Sequence, residues 1–250
     1  MSGWLETRVI ENRAWTDTLF SLRVASEKPG PLFAFEAGQF VRIGLPLDGE
    51  RIARPFSFVN PPGDPVMEFY GVIVAGGPLS PHLARLKAGD PLLVADNPAG
   101  WLILSEVPPA EDLWLVATGT GIAPFLSILR TDTVWRRYRR VILVHGARNA
   151  NELTYGNLIE DLMKNQSGKF DYIRFTSREG SPGALRGRIP AAVADGRLEA
   201  AAAAISPERS QFMLCGNPDM LKDMTAALAV RGLKKHRRRS PGQITVESFW

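Results

Sequence analysis

The chain predicts two domains of different class, an antiparallel β-barrel followed by an α/β domain with a doubly wound parallel sheet, and three features carry that expectation. The first hundred residues break into short β segments separated by Gly, Pro and Asp. From Asp112 onward, apolar runs alternate with helical patterns. Between the two regimes lies 105–112, an acidic, proline-containing stretch that reads as a linker, so the domains are expected at 1–105 and 106–250.

The β segments of the first half fall at 6–12, 19–24, 39–45, 54–59, 68–74 and 91–95, with one short helix at 80–87. Many short strands at that spacing suggest a barrel or sandwich. In the second half, strands are expected at 113–118, 141–145, 170–176 and 212–215, and helices at 123–129, 151–164 and 218–231. A helix between strands returns the chain to the same end of the sheet, so the strands run parallel. The alanine-rich patch 200–204 reads as a helix or loop surface.

With 250 residues and 45% apolar content, the chain has enough material for two cores. It contains no run of eighteen apolar residues, and its start lacks the order of a secretory signal, so a cytoplasmic protein is expected. A single cysteine, Cys215, rules out an intrachain disulfide and a four-cysteine iron–sulfur cluster, and three histidines leave little for a metal site. Any redox chemistry therefore needs a bound organic cofactor. The net charge of +4 is unevenly placed, with basic runs at 135–140 and 234–239 that both point to an anionic partner. The second run lacks interleaved aromatics and any nucleic-acid motif, which disfavours nucleic acid.

The apolar run ending at Thr118 leads directly into Gly119-Thr120-Gly121-Ile122-Ala123-Pro124. In a strand-to-helix turn, glycines let the backbone approach a pyrophosphate, the helix start offers free N–H groups, and Pro124 suits the first helical turn. An NAD site places an acid at the tip of the second strand, whereas an NADP site puts cations there. Here the second strand runs into Arg148, the third ends in Ser177-Arg178, and a further loop carries Arg188. Three arginines at loop positions favour NADP.

In the first half, Arg54-Pro55-Phe56-Ser57-Phe58 combines a cation for a phosphate, aromatics that can stack on an isoalloxazine and a hydroxyl for a ring nitrogen. With period two, Arg54, Phe56 and Phe58 share one face and Ser57 points to the other unless the strand bends. After Val74, Gly76-Gly77-Pro78-Leu79 leads into Ser80 and Pro81, an expected N-cap and first helical residue presenting donors to an anion. Each domain thus has a phosphate-ready site, as an enzyme holding two dinucleotides needs.

These motifs resemble the ferredoxin–NADP reductase superfamily, and within it the bacterial ferredoxin/flavodoxin–NADP reductases. Arg54-x-Phe56-Ser57 is similar to the family's R-x-Y-S/T flavin motif, Gly77-x-x-Ser80 to its flavin-pyrophosphate motif, and Gly119-Thr120-Gly121-x-x-Pro124 to its nicotinamide-nucleotide loop. Cys215-Gly216-Asn217-Pro218 matches C-G-x-P, and Glu247-Ser248-Phe249-Trp250 matches an acid followed by a terminal aromatic. The resemblance implies FAD and NADP(H) as cofactors and electron transfer with ferredoxin or flavodoxin, acidic redox proteins. It implies Ser57, Cys215 and Glu247 as catalytic, with Cys215 against the nicotinamide and Glu247 arranging that site or relaying a proton. It also implies that Arg54 contacts the flavin phosphate and that Phe56 stacks on the ring. The terminal aromatics are expected to act there too, Phe249 covering the flavin's nicotinamide-facing side and Trp250 packing against the flavin's adenine or nearby protein. Phe56 and Phe249 stand where the family often has Tyr, so stacking is kept and the phenolic hydrogen bonds are lost. FAD over FMN rests on the resemblance and on the second pyrophosphate-ready site. Alternative readings are a free flavin reductase, an oxygenase reductase component, or a non-catalytic flavin/NADP sensor.

Overall fold

The computed structural model describes residues 3–27 and 29–248. Six strands form the first sheet: β1 (Trp4–Ala14), β2 (Leu19–Ala25), β3 (Phe40–Leu47), β4 (Glu50–Ser57), β5 (Val66–Val72) and β6 (Pro91–Ala95), with a short helix α1 (Ser80–Leu83) before β6. Their order is β4-β3-β6-β1-β2-β5, with all pairs antiparallel. The sheet curls until its two edges meet where Phe58, just past β4, bridges Phe69 of β5. Inside the curl, Phe58, Phe69, Leu22, Ile43 and Leu92 are fully buried. One face is apolar and inward, as the alternation in an antiparallel strand requires.

The second sheet contains β7 (Asp112–Thr118), β8 (Arg140–Ala147), β9 (Phe170–Thr176), β10 (Ala184–Arg186), β11 (Ser210–Cys215) and β12 (Ile244–Glu247). Their order is β10-β9-β8-β7-β11-β12, all parallel. The chain starts at β7, works outward to β10, then crosses back to β11 on the other side. Helices α2 (Ala123–Leu129), α3 (Asp132–Arg137) and α4 (Gly156–Asn165) cover one face, while α5 (Ile189–Ala194), α6 (Arg197–Ala201) and α7 (Pro218–Val230) cover the other. Because both faces are covered, β7 and β11 read as continuous apolar runs rather than alternating ones.

Helix α2 lies where the two sheets join, and all seven of its residues are buried. Ser127 Oγ donates to Asn60 O at 2.7 Å and the Arg130 guanidinium donates to Val59 O at 3.3 Å, both beyond the helix and in the first sheet's territory. Removing the Phe125 side chain from this junction would cost about 3–5 kcal/mol, the usual range for emptying an aromatic site in a core. On the α4 side, Tyr155 Oη donates to Glu68 at 2.8 Å and Thr154 Oγ1 donates to Tyr70 Oη at 2.8 Å.

Two helices are shorter than the sequence predicts. The expected helix over 151–164 begins only at Gly156, because Tyr155 sits at φ 61. That left-handed conformation costs about 1–2 kcal/mol for a bulky residue. It is offset by seating the Tyr155 ring against Trp15 at 4.7 Å and Tyr70 at 5.2 Å. The expected helix over 80–87 stops at Leu83 and dissolves into turns before Gly89.

Candidate active site

The strand order of the second sheet reverses between β7 and β11, and in open α/β sheets the crevice at the carboxyl ends of such strands is where ligands bind. Here β7 runs into the turn 119–122 and β11 ends at Cys215-Gly216. Gly121 lets the two meet, since a Cβ there would stand 2.6 Å from Cys215 O. Thr118 Oγ1 accepts from Asn217 N at 2.9 Å and locks the two strand ends together. The outer surface of this junction, Thr120, Gly121, Ala123 and Gly216, forms one wall of a cleft of about 290 Å³.

The curled sheet supplies the opposite wall. Arg54, Pro55, Phe56 and Ser57 line it from β4, Tyr70, Gly71 and Val72 from β5, and Val74, Gly77, Pro78, Leu79 and Ser80 from the loop into α1. Phe56 and Ser57 both border the cleft at the end of β4. Gly71 makes room for Phe56: a Cβ there would meet that ring at 2.8 Å. The lining joins an exposed guanidinium, aromatic rings, a hydroxyl and a turn of glycine-rich backbone.

Several expected contacts lie elsewhere. Phe58 does not reach the cleft, because one residue past β4 its ring turns into the barrel core and stacks on Phe35 at 4.0 Å. Ser80 is not an N-cap; Leu79 holds that position, and Ser80 Oγ instead accepts from Val74 N at 2.9 Å, closing the loop on itself. Pro124 occupies the first turn of α2 as expected but is buried there, and Thr118 and Gly119 stand behind the cleft wall rather than in it. Tyr70 and Gly71 were missed; a glycine inside the apolar segment 68–74 is the signal that could have found them, because it marks close approach.

Behind the wall, Cys215 is fully buried, and burial with the Glu247 carboxyl beside it pushes its thiol pKa far up, so the sulfur stays protonated. Glu247 is Cys215's register partner across β11 and β12. Its Oε1 accepts from Trp101 N at 3.1 Å, and its Oε2 is buried with no hydrogen-bond partner among the described residues. Burial raises its pKa from 4.5 to about 7. Ser57 belongs to the same neighbourhood, since its register partner Phe40 bridges Ala99, two residues before Trp101. Phe249 and Trp250 lie outside the described residues.

The expected phosphate-reading residues form a second group at the carboxyl ends of β8, β9 and β10. Arg178 N donates to Arg148 O at 2.9 Å, Ser177 Oγ donates to Ala147 O at 3.3 Å, and Gly187 N donates to Thr176 O at 2.9 Å, which brings Arg188 alongside. The side chains of Arg148, Arg178 and Arg188 are exposed, and among the described residues none is in an ion pair.

The two basic runs differ. In the run 135–140, Arg136 pairs with Asp132, Arg139 with Glu111 and Arg140 with Asp171, while Arg137 donates to the carbonyls of Leu104 and Val107. Neighbouring carboxylates thus offset part of its charge, although Arg136 and Arg139 stay largely exposed. The run 234–239 ends in a tight turn, Arg237 to Ser240, with Lys234, Lys235, Arg237 and Arg239 exposed. Arg238 reaches out of the turn to bind Glu106 through two hydrogen bonds, 2.6 and 2.9 Å, and lies 4.1 Å from the Trp101 ring. Trp101 itself is 61% exposed.

A curled antiparallel sheet and a doubly wound parallel sheet, each lending a dinucleotide-suited wall to one cleft, define a two-nucleotide oxidoreductase. Residues 115–226 match the family model described as the oxidoreductase NAD-binding domain. The chain is 45% identical over 252 residues to the flavodoxin/ferredoxin–NADP reductase of Shigella flexneri, covering 100% of both chains. It is 35% identical to the ferredoxin–NADP reductase of Pseudomonas aeruginosa, over 99% of this chain and 98% of the relative. The crystal structure of a ferredoxin NADP+ reductase from Neisseria gonorrhoeae with bound FAD and NADP is similar at a TM-score of 0.91 and 32% identity, covering 99% of each chain. The chain belongs to the flavodoxin/ferredoxin–NADP reductase family.

Proposed function

We propose that this chain passes electrons between NADPH and ferredoxin or flavodoxin through FAD held in the cleft, with residues 1–105 as the flavin half and 106–250 as the nucleotide half. The observation that carries the reading is the composition of the cleft: Arg54, Phe56, Ser57 and Gly77–Ser80 face Thr120, Gly121 and Gly216 across about 290 Å³. The residues present fit both groups. Arg54 and the backbone at Gly77 and Leu79 suit the flavin's phosphates, and the Phe56 ring suits its aromatic system. Thr120, Gly121 and Gly216 suit the nicotinamide end, while Arg148, Ser177, Arg178 and Arg188 suit the additional phosphate of NADP.

FAD, when bound, supplies the exchange between a hydride's electron pair and single electrons. The chain supplies position and protons. The two walls hold both nucleotides in one crevice, which turns an encounter into an oriented approach. Ser57 offers a hydroxyl to the flavin ring, and Cys215, kept as a thiol, fills the space behind Gly121 and Gly216 without charge. Glu247 holds a proton on Oε2 near neutral pH, in reach of the strand ends that form the nicotinamide wall. Loop 99–101 covers that carboxyl and limits its access to water.

The carrier's acidic face docks on the segment 235–240, where Lys235, Arg237 and Arg239 are exposed and in no ion pair among the described residues, and Trp101 presents an apolar face. Charge complementarity of this kind acts mainly on the association rate. Stopped-flow reduction of the FAD-loaded protein by NADPH, with and without ferredoxin or flavodoxin, tests the reading. Rapid flavin bleaching followed by reoxidation through either carrier supports it. Bleaching with no transfer to either, or faster transfer to free flavin, would replace it with a free flavin reductase.

A further inference from the structure

His145 lies on β8, fully buried, in register with Ala117 of β7 and Arg174 of β9. Its side chain faces the same layer as α2 and α4, beneath the turn 119–122. Nε2 is 3.2 Å from Gly119 O, and Nδ1 is 3.4 Å from Tyr172 Oη. A carbonyl oxygen only accepts, so Nε2 carries the proton; a neutral ring then has a lone pair at Nδ1, which accepts from the tyrosine hydroxyl. Burial lowers the imidazole's pKa to about 4, so the ring is neutral throughout the physiological range. Two partners of opposite polarity therefore fix both tautomer and ring orientation.

The consequence lies in the peptide joining Gly119 to Thr120. In a trans peptide the C=O and N–H point in opposite directions. With the Gly119 oxygen directed inward at His145, the Thr120 N–H is directed outward, and Thr120 lines the cleft. Gly119 sits at φ 54, and a Cβ there would meet nothing within 4 Å, so conformation rather than space is what a side chain would disturb. A glycine at this point allows close approach but also makes a flipped peptide accessible at little cost. The histidine removes that ambiguity.

We infer that His145, braced by Tyr172, is a positioning residue for the nicotinamide nucleotide: it pins the Gly119 carbonyl so that the Thr120 N–H is presented to an acceptor oxygen of that ligand. This rests on the NADP reading of the cleft. It goes beyond it because neither residue is among those lining the cleft, and the nucleotide turn owes its conformation to a buried side chain behind it on β8.

The test uses the FAD-loaded protein and its variants H145L and H145Q. Loss of one hydrogen bond to an oriented neutral donor corresponds to about a tenfold change in an equilibrium. H145L should raise the KM for NADPH about tenfold with kcat within about twofold of wild type, and H145Q, whose amide can donate to Gly119 O, should recover most of the loss. The flavin absorption spectrum and the preference for NADPH over NADH should not move, since the flavin wall and the phosphate arginines are untouched. Equal KM values in wild type and H145L would overturn the inference, as would a KM defect that H145Q fails to relieve. Should H145L not fold, ¹⁵N NMR of the histidines in wild type and in Y172F decides: the inference requires the Nε2–H tautomer at pH 7, with Nδ1 losing its hydrogen bond in Y172F, and an Nδ1–H or doubly protonated ring overturns it. If the unmodified protein is not reduced by NADPH at all, the functional reading has failed, and this inference with it. If it is reduced normally and H145L binds NADPH equally well, only the inference has failed.

Discussion

Replacing Glu247 with Gln tests whether the carboxyl beside Cys215 carries a proton at the pH of catalysis. In the folded protein its pKa is raised from 4.5 to about 7, chiefly by burial, while the hydrogen bond from Trp101 N pulls weakly the other way. The sign follows from counting protons. Below pH 4.5 the group is protonated whether the chain is folded or not, so it has no effect on stability. Between 4.5 and about 7 the folded state keeps a proton that the unfolded chain has released, so stability falls as pH rises. Above about 7 the carboxylate is charged and buried in the folded state, and the penalty is complete.

Each pH unit of that displacement is worth about 1.4 kcal/mol, which puts the full penalty at about 3 kcal/mol, and solvent access to the side chain reduces the expected value to about 2 kcal/mol. The glutamine keeps an acceptor for Trp101 N but cannot ionise. Its amide leaves a donor where Oε2 has no partner, a fixed cost that does not vary with pH. The difference between pH 5 and pH 8 is therefore the diagnostic quantity. Urea unfolding at fixed excess FAD should show wild type losing about 2 kcal/mol more than E247Q over that range. The pH profile of flavin reduction by NADPH should lose an inflection near 7 in the variant. Parallel stability curves for the two proteins, or a carboxyl titrating near 4.5 by infrared spectroscopy, would refute the reasoning.

Other outcomes are expected elsewhere on the molecule. Arg178→Ala should lower the preference for NADPH over NADH by about 10-fold to 100-fold while leaving the KM for NADH unchanged, because a guanidinium facing a phosphate contributes only to the ligand that has one; an unchanged preference in steady-state kinetics would exclude Arg178 from phosphate reading. Gly121→Ala places a Cβ 2.6 Å from the Cys215 carbonyl, so β7 and β11 must separate at the cleft. Thermal melting should drop by several degrees and NADP binding should weaken together; a variant that melts like wild type would mean the junction is slack. The double variant Arg237→Ala, Arg239→Ala should slow transfer to ferredoxin or flavodoxin most at low salt and flatten its salt dependence, with flavin reduction by NADPH unaffected.

Strands at 91–95 and 170–176 and the helix at 123–129 are observed with the expected bounds: 91–95 and 123–129 are dense apolar runs, and 170–176 sets three aromatics and Ile173 between Gly168 and Ser177. Elements outside the expectation share a physical reason. The segment Ile244–Glu247 becomes β12 only because β11 lies beside it, and four residues hold no periodicity of their own. Helices α3, α5 and α6 are five or six residues long and are stabilised by the sheet they cover rather than by local propensity. The cleft was legible where glycines and a cation cluster in sequence, at Arg54–Ser57, Gly77–Ser80 and Thr120–Gly121. It was not legible at Tyr70, whose hydroxyl is engaged by Thr154 from the loop before α4. The partners of the run 135–140 were hidden for the same reason, since Glu111, Asp171 and the Leu104 carbonyl are brought to it by the fold.

On the proposed reading, the order of the second sheet gives two groups of exposed cations different tasks. Arg148, Arg178 and Arg188 sit at the β8–β10 edge, while the turn at 237–240 follows α7 and precedes β12 at the opposite edge, with the cleft at the reversal between β7 and β11. A nucleotide reaching the first edge enters the cleft along the carboxyl ends of the strands. A carrier resting on the second edge meets Trp101, whose backbone N–H is bound by Glu247 and whose ring lies against Arg238, itself held by Glu106. Carrier and nucleotide then use different charges, so removing Arg237 and Arg239 should slow the single-electron step without shifting the NADPH preference. Any partner that pulls Arg238 from Glu106 would also loosen the loop covering the Glu247 carboxyl. Docking and the protonation of that group are therefore coupled through one indole and one guanidinium, which makes Trp101 the position where a change in carrier affinity should be accompanied by a change in the pH dependence of flavin reduction.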